Sequence, residues 1–191
     1  MINRFSVTQR LVLSFVFVIL VGSILLSLPI SHYANSPETN YLDHLFNTVS
    51  MVCVTGLSVV PVSKAYNGFG QIVSMLLMQT GGLGLVSLIA ISTYSLKNKL
   101  GLSDQDLLKS ALSRDNQKDL KAYLFKVYKI TFSIEAIAAL VIMTDFIPRF
   151  GLGHGIFNNL FLAVSAFCNA GFDILGANSL QDYATNPTIN L

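Results

Sequence analysis

Charge is what this sequence has least of. Asp, Glu, Lys and Arg make up 12% of its 191 residues, about half the share found in soluble domains. With 52% hydrophobic residues and a mean hydropathy of +0.60, that deficit excludes an ordinary water-soluble domain and implies an integral membrane protein. Cysteine is nearly absent too. Cys53 and Cys168 are too few and too far apart for a disulfide framework or a thiolate zinc site. The three histidines, His32, His44 and His154, lack metal-ligand spacing and read as polar residues at a water boundary. No phosphate-binding P-loop, zinc-protease helix or nucleophile elbow occurs. Nothing in the sequence calls for covalent chemistry, so an enzyme is not expected.

What the sequence has is long apolar runs. Leu11–Ile30 is a run of 20 residues behind Arg4 and Arg10. It is longer than the apolar region of a signal peptide, about 7 to 15 residues, and no A-x-A cleavage site follows it. At about 1.5 Å per residue it spans a bilayer core as a helix. A second span is expected at 70–94 and a third at 123–147, the latter carrying Lys129, Glu135 and Asp145. Ten of the twelve basic residues precede span one or lie between spans two and three and at the entry to span three. By the positive-inside rule the N-terminus and the connector 97–122 are cytoplasmic, and 31–69 and 148–191 face outward. Segment 31–69 then begins and ends outside, yet its middle, 42–60, is apolar. It is too short to cross twice. A re-entrant hairpin satisfies both facts: a short helix over 42–52 dips inward and extended chain returns. Irregular backbone at membrane depth is tolerated where it is enclosed by protein or lines a water-filled cavity.

The chain also repeats itself. Displaced by 115 residues, D-H-L-F-N-T-V-S-M-V-C-V-T-G-L (43–57) lies over N-N-L-F-L-A-V-S-A-F-C-N-A-G-F (158–172). Leu45/Leu160, Phe46/Phe161, Val49/Val164, Ser50/Ser165, Cys53/Cys168 and Gly56/Gly171 are identical, six of fifteen columns, where chance gives about one. The same displacement lays span one on span three. The expected organisation is a first helix–pore loop–helix repeat over 1–96, a charged connector over 97–122, and a second repeat over 123–191 with its short helix at 157–167. Span two would recur at 185–209, so the sequence reads as a piece of a longer protein.

A backbone that aims successive carbonyls at one point needs unusual dihedrals, and glycine adopts them without steric cost. Gly56 and Gly171 stand where such a turn is needed. The C-termini of the two preceding short helices carry partial negative charge that favours a cation. Rings of carbonyls replacing a water shell are the chemistry of potassium filters.

V-C-V-T-G-L (52–57), F-C-N-A-G-F-D (167–173) and Q-T-G-G-L-G (79–84) resemble the Trk/Ktr/HKT superfamily of potassium transporters, in its bacterial Ktr and Trk branch, over essentially the whole chain. The resemblance implies an all-α membrane protein with four helix–pore loop–helix repeats around one pore, of which this chain holds the first and most of the second. It implies filters at 53–57 and 168–173, with Val54, Thr55, Gly56 and Leu57 in the first and Asn169, Ala170, Gly171 and Phe172 in the second. It further implies potassium as the transported ion, no covalent cofactor, a homodimer, a cytosolic ring of nucleotide-binding regulatory subunits, and no nucleic acid. After the first filter the chain reads S-V-V-P-V-S, without the acid that many members place near Pro61.

Four further features bear on the reading, two of them open to two interpretations. Asp173 can draw cations to an outer mouth. Glu135, an ionisable residue inside a span, faces the bundle interior by default and either lines an ion path or supports a pore helix. Gly81, Gly82 and Gly84 form either a hinge or a close helix contact. Cys53 and Cys168 read as small buried fillers. Besides potassium uptake, the sequence admits a sodium or nonselective monovalent cation transporter of the same fold, and a non-conducting membrane scaffold in which 52–57 stays helical.

Overall fold

A computed structural model describes residues 7–84, 117–176, 178–186 and 189. Among these the chain is helical, with one isolated antiparallel bridge, His32 to Tyr66, and no strand. Helix α1, Val7–Ser27, ends because Pro29 forces Leu28 into extended backbone (φ −68°, ψ 142°) and opens a 3-10 turn, Pro29–Ser31. Helix α2, Tyr41–Val52, starts at Asn40, whose N–H donates to the Asp43 carboxylate at 2.8 Å. That carboxylate also favours the positive end of the helix dipole. A short helix α3, Val62–Ala65, follows Pro61, and α4, Gly68–Leu83, is capped by Asn67, whose side chain accepts from the N–H groups of Phe69 and Gly70.

The long helix α5, Gln117–Phe167, contains a reversal: Gly151 has φ 77° and ψ 171°. An outgoing limb, 117–150, therefore precedes a returning limb, 152–167. The limbs meet closely at Gly155, where a Cβ would lie 2.9 Å from the Phe146 carbonyl oxygen. The Asp145–Arg149 ion pair (3.0 Å) sits near the reversal, and the Arg149 guanidinium lies over the Tyr183 ring at 5.0 Å. This ties the 3-10 turn Gln181–Tyr183 to the outgoing limb.

Large apolar side chains cover much of the surface, while a set of polar side chains is buried beside the apolar core. Phe17, Val12, Ile24, Ile137, Leu140 and Phe132 all point outward, whereas Ser23, Asn47, Thr48, Ser50, Gln71, Ser74, Thr131, Glu135 and Ser165 are buried. An apolar solvent stabilises that arrangement and water would not. Among the described residues one helix, Ala122–Phe167, passes the length and apolarity test for a membrane span, and the apolar part of α1, Val12–Ser27, falls short of it. All of α1, at about 1.5 Å per residue, still covers roughly 30 Å.

At the end of α4 the described residues run one position past Leu83, to Gly84 (φ 78°). Residues 85–94 of the expected second span, and 97–116 of the connector, lie outside the described residues. The neighbouring glycines serve close packing: a Cβ on Gly81 would lie 2.4 Å from the Val52 carbonyl oxygen at the end of α2, and one on Gly82 would meet Cys168 Cβ at 2.7 Å. The C-terminal turn of α4 is thus wedged between the ends of α2 and of the returning limb. One core cluster results, joining Leu26, Met51, Val52, Leu77 and Met78 to Phe161, Cys168, Ala170 and Phe172.

Gly81→Ala is expected to lower the apparent unfolding temperature in detergent, at a cost of about 1–3 kcal/mol for overpacking against backbone that cannot swing away. Gly68→Ala, which meets nothing within 4 Å, is expected to leave it unchanged. Equal unfolding temperatures for the two variants would contradict the wedge.

Candidate functional site

Both short helices end in the same way. In α2 the Cys53 N–H donates to the Val49 carbonyl (2.8 Å) and the Thr55 N–H to the Ser50 carbonyl (3.0 Å). In the returning limb the Cys168 N–H donates to the Val164 carbonyl (2.9 Å) and the Ala170 N–H to the Ser165 carbonyl (2.8 Å). Between the two bonds lies a residue in the left-handed region, Val54 (φ 57°) in one loop and Asn169 (φ 53°) in the other. This is the Schellman ending, in which the left-handed position is usually glycine. Asparagine tolerates it, but a β-branched valine there costs on the order of 1–3 kcal/mol. The surrounding structure must therefore impose it.

Two residues later the pattern recurs, at Gly56 and Gly171, both with φ 73°. Each loop thus places a left-handed residue on either side of an ordinary one, Thr55 or Ala170. Such alternation turns successive peptide planes toward a common side, whereas uniform extended backbone would point them alternately. The two loops also meet. A Cβ on Gly56 would lie 3.1 Å from the Ala170 carbonyl oxygen, and one on Gly171 would lie 3.1 Å from the Gly56 Cα.

Their surroundings differ. Leu57 and Thr55 are exposed, whereas Ala170 and Phe172 are buried in the core cluster. Asn47 secures the first loop beyond its glycine, donating to the Val60 carbonyl (3.0 Å) and accepting from the Val59 N–H (3.0 Å). The second loop is secured by Asp173, whose carboxylate accepts from the Leu175 N–H (2.9 Å) and the Ser179 hydroxyl. Both Asp173 oxygens are thereby engaged by their own loop. Glu135, on the outgoing limb, is 5% exposed. It accepts from Gln79 Nε2 (2.7 Å), and Gln79 Oε1 in turn accepts from the Cys168 thiol (3.4 Å), which caps the returning limb. Glu135 therefore sits behind the second loop, two hydrogen bonds from Asn169's neighbour.

Two side chains depart from the sequence reading, and two others were not singled out by it. Cys168 is buried, but Cys53 is exposed, because the crevice of α4 beside Gly82 receives only Cys168. His44 is no boundary residue: it is 3% exposed, with Nδ1 2.9 Å from the Tyr66 hydroxyl and Nε2 3.0 Å from the Thr39 hydroxyl. Ser50 and Ser165, noted in the sequence only as identical columns, hold the loops through their hydroxyls. Ser50 Oγ accepts from the Leu57 N–H (2.8 Å) and pairs with the Thr55 hydroxyl (2.8 Å), and Ser165 Oγ accepts from the Phe172 N–H (2.9 Å). The available signal was a polar residue among helix identities, Leu45/Leu160, Phe46/Phe161 and Val49/Val164, that are otherwise apolar.

Burial and the neighbouring His32 ring (centroids 4.8 Å apart) lower the His44 pKa below its usual 6.5, with Asp43 opposing. The folded state thus prefers the neutral ring, and on acidification the unfolded state takes up the proton first. Unfolding temperature is expected to be flat above about pH 7 and to fall as pH drops below about 6.5. In His44→Gln the part of this slope due to the ring should vanish; an unchanged slope would remove His44 from the account.

Comparison with known proteins places this geometry in context. The family model described as TrkH, cation transport protein, matches residues 7–191. The Ktr system potassium uptake protein B of Bacillus subtilis is 37% identical over 188 residues, covering 98% of this chain and 41% of the relative. The potassium/sodium uptake protein NtpJ of Enterococcus hirae is 37% identical over 181 residues, covering 94% and 40%. The Ktr system potassium uptake protein B of Vibrio alginolyticus is 34% identical over 180 residues, covering 94% and 39%. The chain thus spans about two fifths of the length of these curated relatives.

Proposed function

The chain belongs to the TrkH family of cation transport proteins, and from that premise we propose that it contributes two of the pore loops through which potassium ions cross the cytoplasmic membrane. The observation that carries the proposal is the matched pair of loops. Displaced by 115 residues in sequence, they share left-handed residues at the same two positions and touch glycine to glycine.

In this reading α2 and the returning limb of α5 are pore helices, and 53–57 and 168–173 are filter segments. The carbonyls of Val54, Thr55, Gly56 and Leu57, and of Asn169, Ala170, Gly171 and Phe172, replace the water shell of the ion. The C-terminal dipoles of both pore helices lower the cost of dehydrating it. Glu135 supports the second loop through Gln79 and Cys168, and Asp173 shapes the outer turn of that loop. The N-terminus and the connector 97–122 face the cytoplasm, in keeping with the basic residues that precede α1 and enter α5. Membrane lipid surrounds the apolar faces of α1 and α5. The full-length protein forms a homodimer on a cytosolic ring of nucleotide-binding subunits, as the family resemblance implies.

A scaffold would keep 52–57 helical; the chain instead leaves the helix at Cys53, which supports a pore loop. A sodium or nonselective transporter is the second reading, and the relatives give it a specific basis, since one is named for potassium and another for both potassium and sodium.

Uptake of rubidium and sodium by potassium-uptake-deficient cells, expressing the gene product that carries this chain, tests the proposal. Rubidium should enter in preference to sodium. Gly56→Ser and Gly171→Ser each add a side chain in a left-handed conformation where the other loop lies within about 3 Å, and each should lower flux or the rubidium/sodium ratio by tenfold or more, equivalent to about 1.4 kcal/mol. Unchanged flux and ratio in both variants would refute the filter assignment, and preferential sodium entry would establish the second reading.

A further inference from the structure

Given the filter reading of the two loops, we propose that Ser50 and Ser165 are positioning residues that orient the filter carbonyls and thereby set ion preference. The two serines stand in the same column of the repeat, both 2% exposed, three residues before the cysteine that follows the last residue of each helix. Elsewhere in the chain helical hydroxyls donate to a carbonyl one turn back, as Ser74 does to Gly70 and Ser133 to Lys129. Ser50 and Ser165 are used differently, as acceptors for the loop that follows. The main-chain oxygen takes the N–H five residues on, and the hydroxyl oxygen takes the N–H seven residues on.

The identity of those N–H groups gives the pairing its consequence. A peptide unit is planar and trans, with its N–H and C=O pointing in opposite directions. The Leu57 N–H shares its plane with the Gly56 carbonyl, and the Phe172 N–H with the Gly171 carbonyl. Holding each N–H on a buried serine hydroxyl therefore turns the glycine carbonyl away from its own pore helix. The main-chain bonds do the same for the carbonyls of Val54 and Asn169, because the Thr55 and Ala170 N–H groups point back at the helix. One serine thus fixes two alternate carbonyls of its filter, one through an oxygen that every residue type has and one through an oxygen that alanine lacks. Loss of the hydroxyl frees the glycine's peptide plane and, in the first loop, the Thr55 hydroxyl as well. That plane can then rotate, and the ion meets a carbonyl ring of less defined size.

Ser50→Ala and Ser165→Ala in the gene product that carries this chain are the test, with Ser50→Thr and Ser165→Thr as variants that retain the oxygen and Ser133→Ala as the control for loss of a helical hydroxyl. The readouts are rubidium and sodium uptake together with the amount of protein in the membrane. Each alanine variant is expected to accumulate and to lose about three- to tenfold in the rubidium/sodium ratio, the effect of one buried hydrogen bond, while threonine restores the ratio and Ser133→Ala keeps it. Alanine variants that accumulate with the wild-type ratio overturn the proposal. If alanine blocks accumulation, the threonine variants decide: restoration of both accumulation and ratio supports positioning by the hydroxyl, and failure to restore either overturns it. Should Gly56→Ser and Gly171→Ser change selectivity while the serine variants do not, this inference alone falls. Should none of them change it, the filter reading falls first.

Discussion

A peptide group that leaves a helix inside an apolar surrounding must find its hydrogen-bond partner within the protein. Water is not there to supply one, and leaving a partner unmade costs several kcal/mol on the order of a lost hydrogen bond in hydrocarbon. On the proposed reading the two loops meet this constraint by leaning on the helices that precede them. The last turns of α2 and of the returning limb each use one serine twice, through its main-chain and side-chain oxygens. The rest of the fold keeps those helix ends in place. The C-terminal turn of α4 is wedged between them, α1 closes over α2 and α4, and the reversal at Gly151 brings the returning limb into the same core.

The same constraint is met unequally on the two sides. The first loop is braced from its own helix by Asn47, which reaches the chain at Val59 and Val60, and the outer end of that helix is locked by His44 against Tyr66 and Thr39. The second loop is braced from beyond its glycine by Asp173 and from behind by the Glu135–Gln79–Cys168 chain. A carboxylate within a membrane span is costly without partners. Here it faces the interior, where Gln79 reaches it from α4. Similar backbone endings are therefore held by different side chains, and substitutions in the bracing groups of one repeat have no counterpart in the other.

The sequence carried the helices and the repeat because both are written in periodic or recurrent features. The apolar run before Pro29 marks the end of α1, and the stretch between Asn40 and Cys53 has a capping acid at one end and a repeat identity at the other. Gly56 and Gly171 were legible for the same reason. The left-handed turn at Val54 was not, because a β-branched residue is among the last that local propensity would place there. It is imposed by the Thr55-to-Ser50 bond and by packing against a core that includes the second loop. The exposure of Cys53 and the burial of His44 were equally out of reach, since the first depends on Cys168 filling the crevice beside Gly82 and the second on Tyr66, neither of them a local neighbour in sequence.

The glycines themselves illustrate the difference between a local and a tertiary cause. Left-handed backbone alone does not demand glycine in these loops, for Val54 and Asn169 adopt it with side chains in place. At Gly56 and Gly171 the dihedral is matched by a second requirement, the opposing loop within 3.1 Å of any added Cβ. At a position with only the first requirement, the cost is a strain of a kcal/mol or so that bracing can offset. Where both apply, a side chain must displace another backbone, and the two loops can no longer share the space between them. The single glycine of each loop therefore reports the contact between loops more than the turn within one.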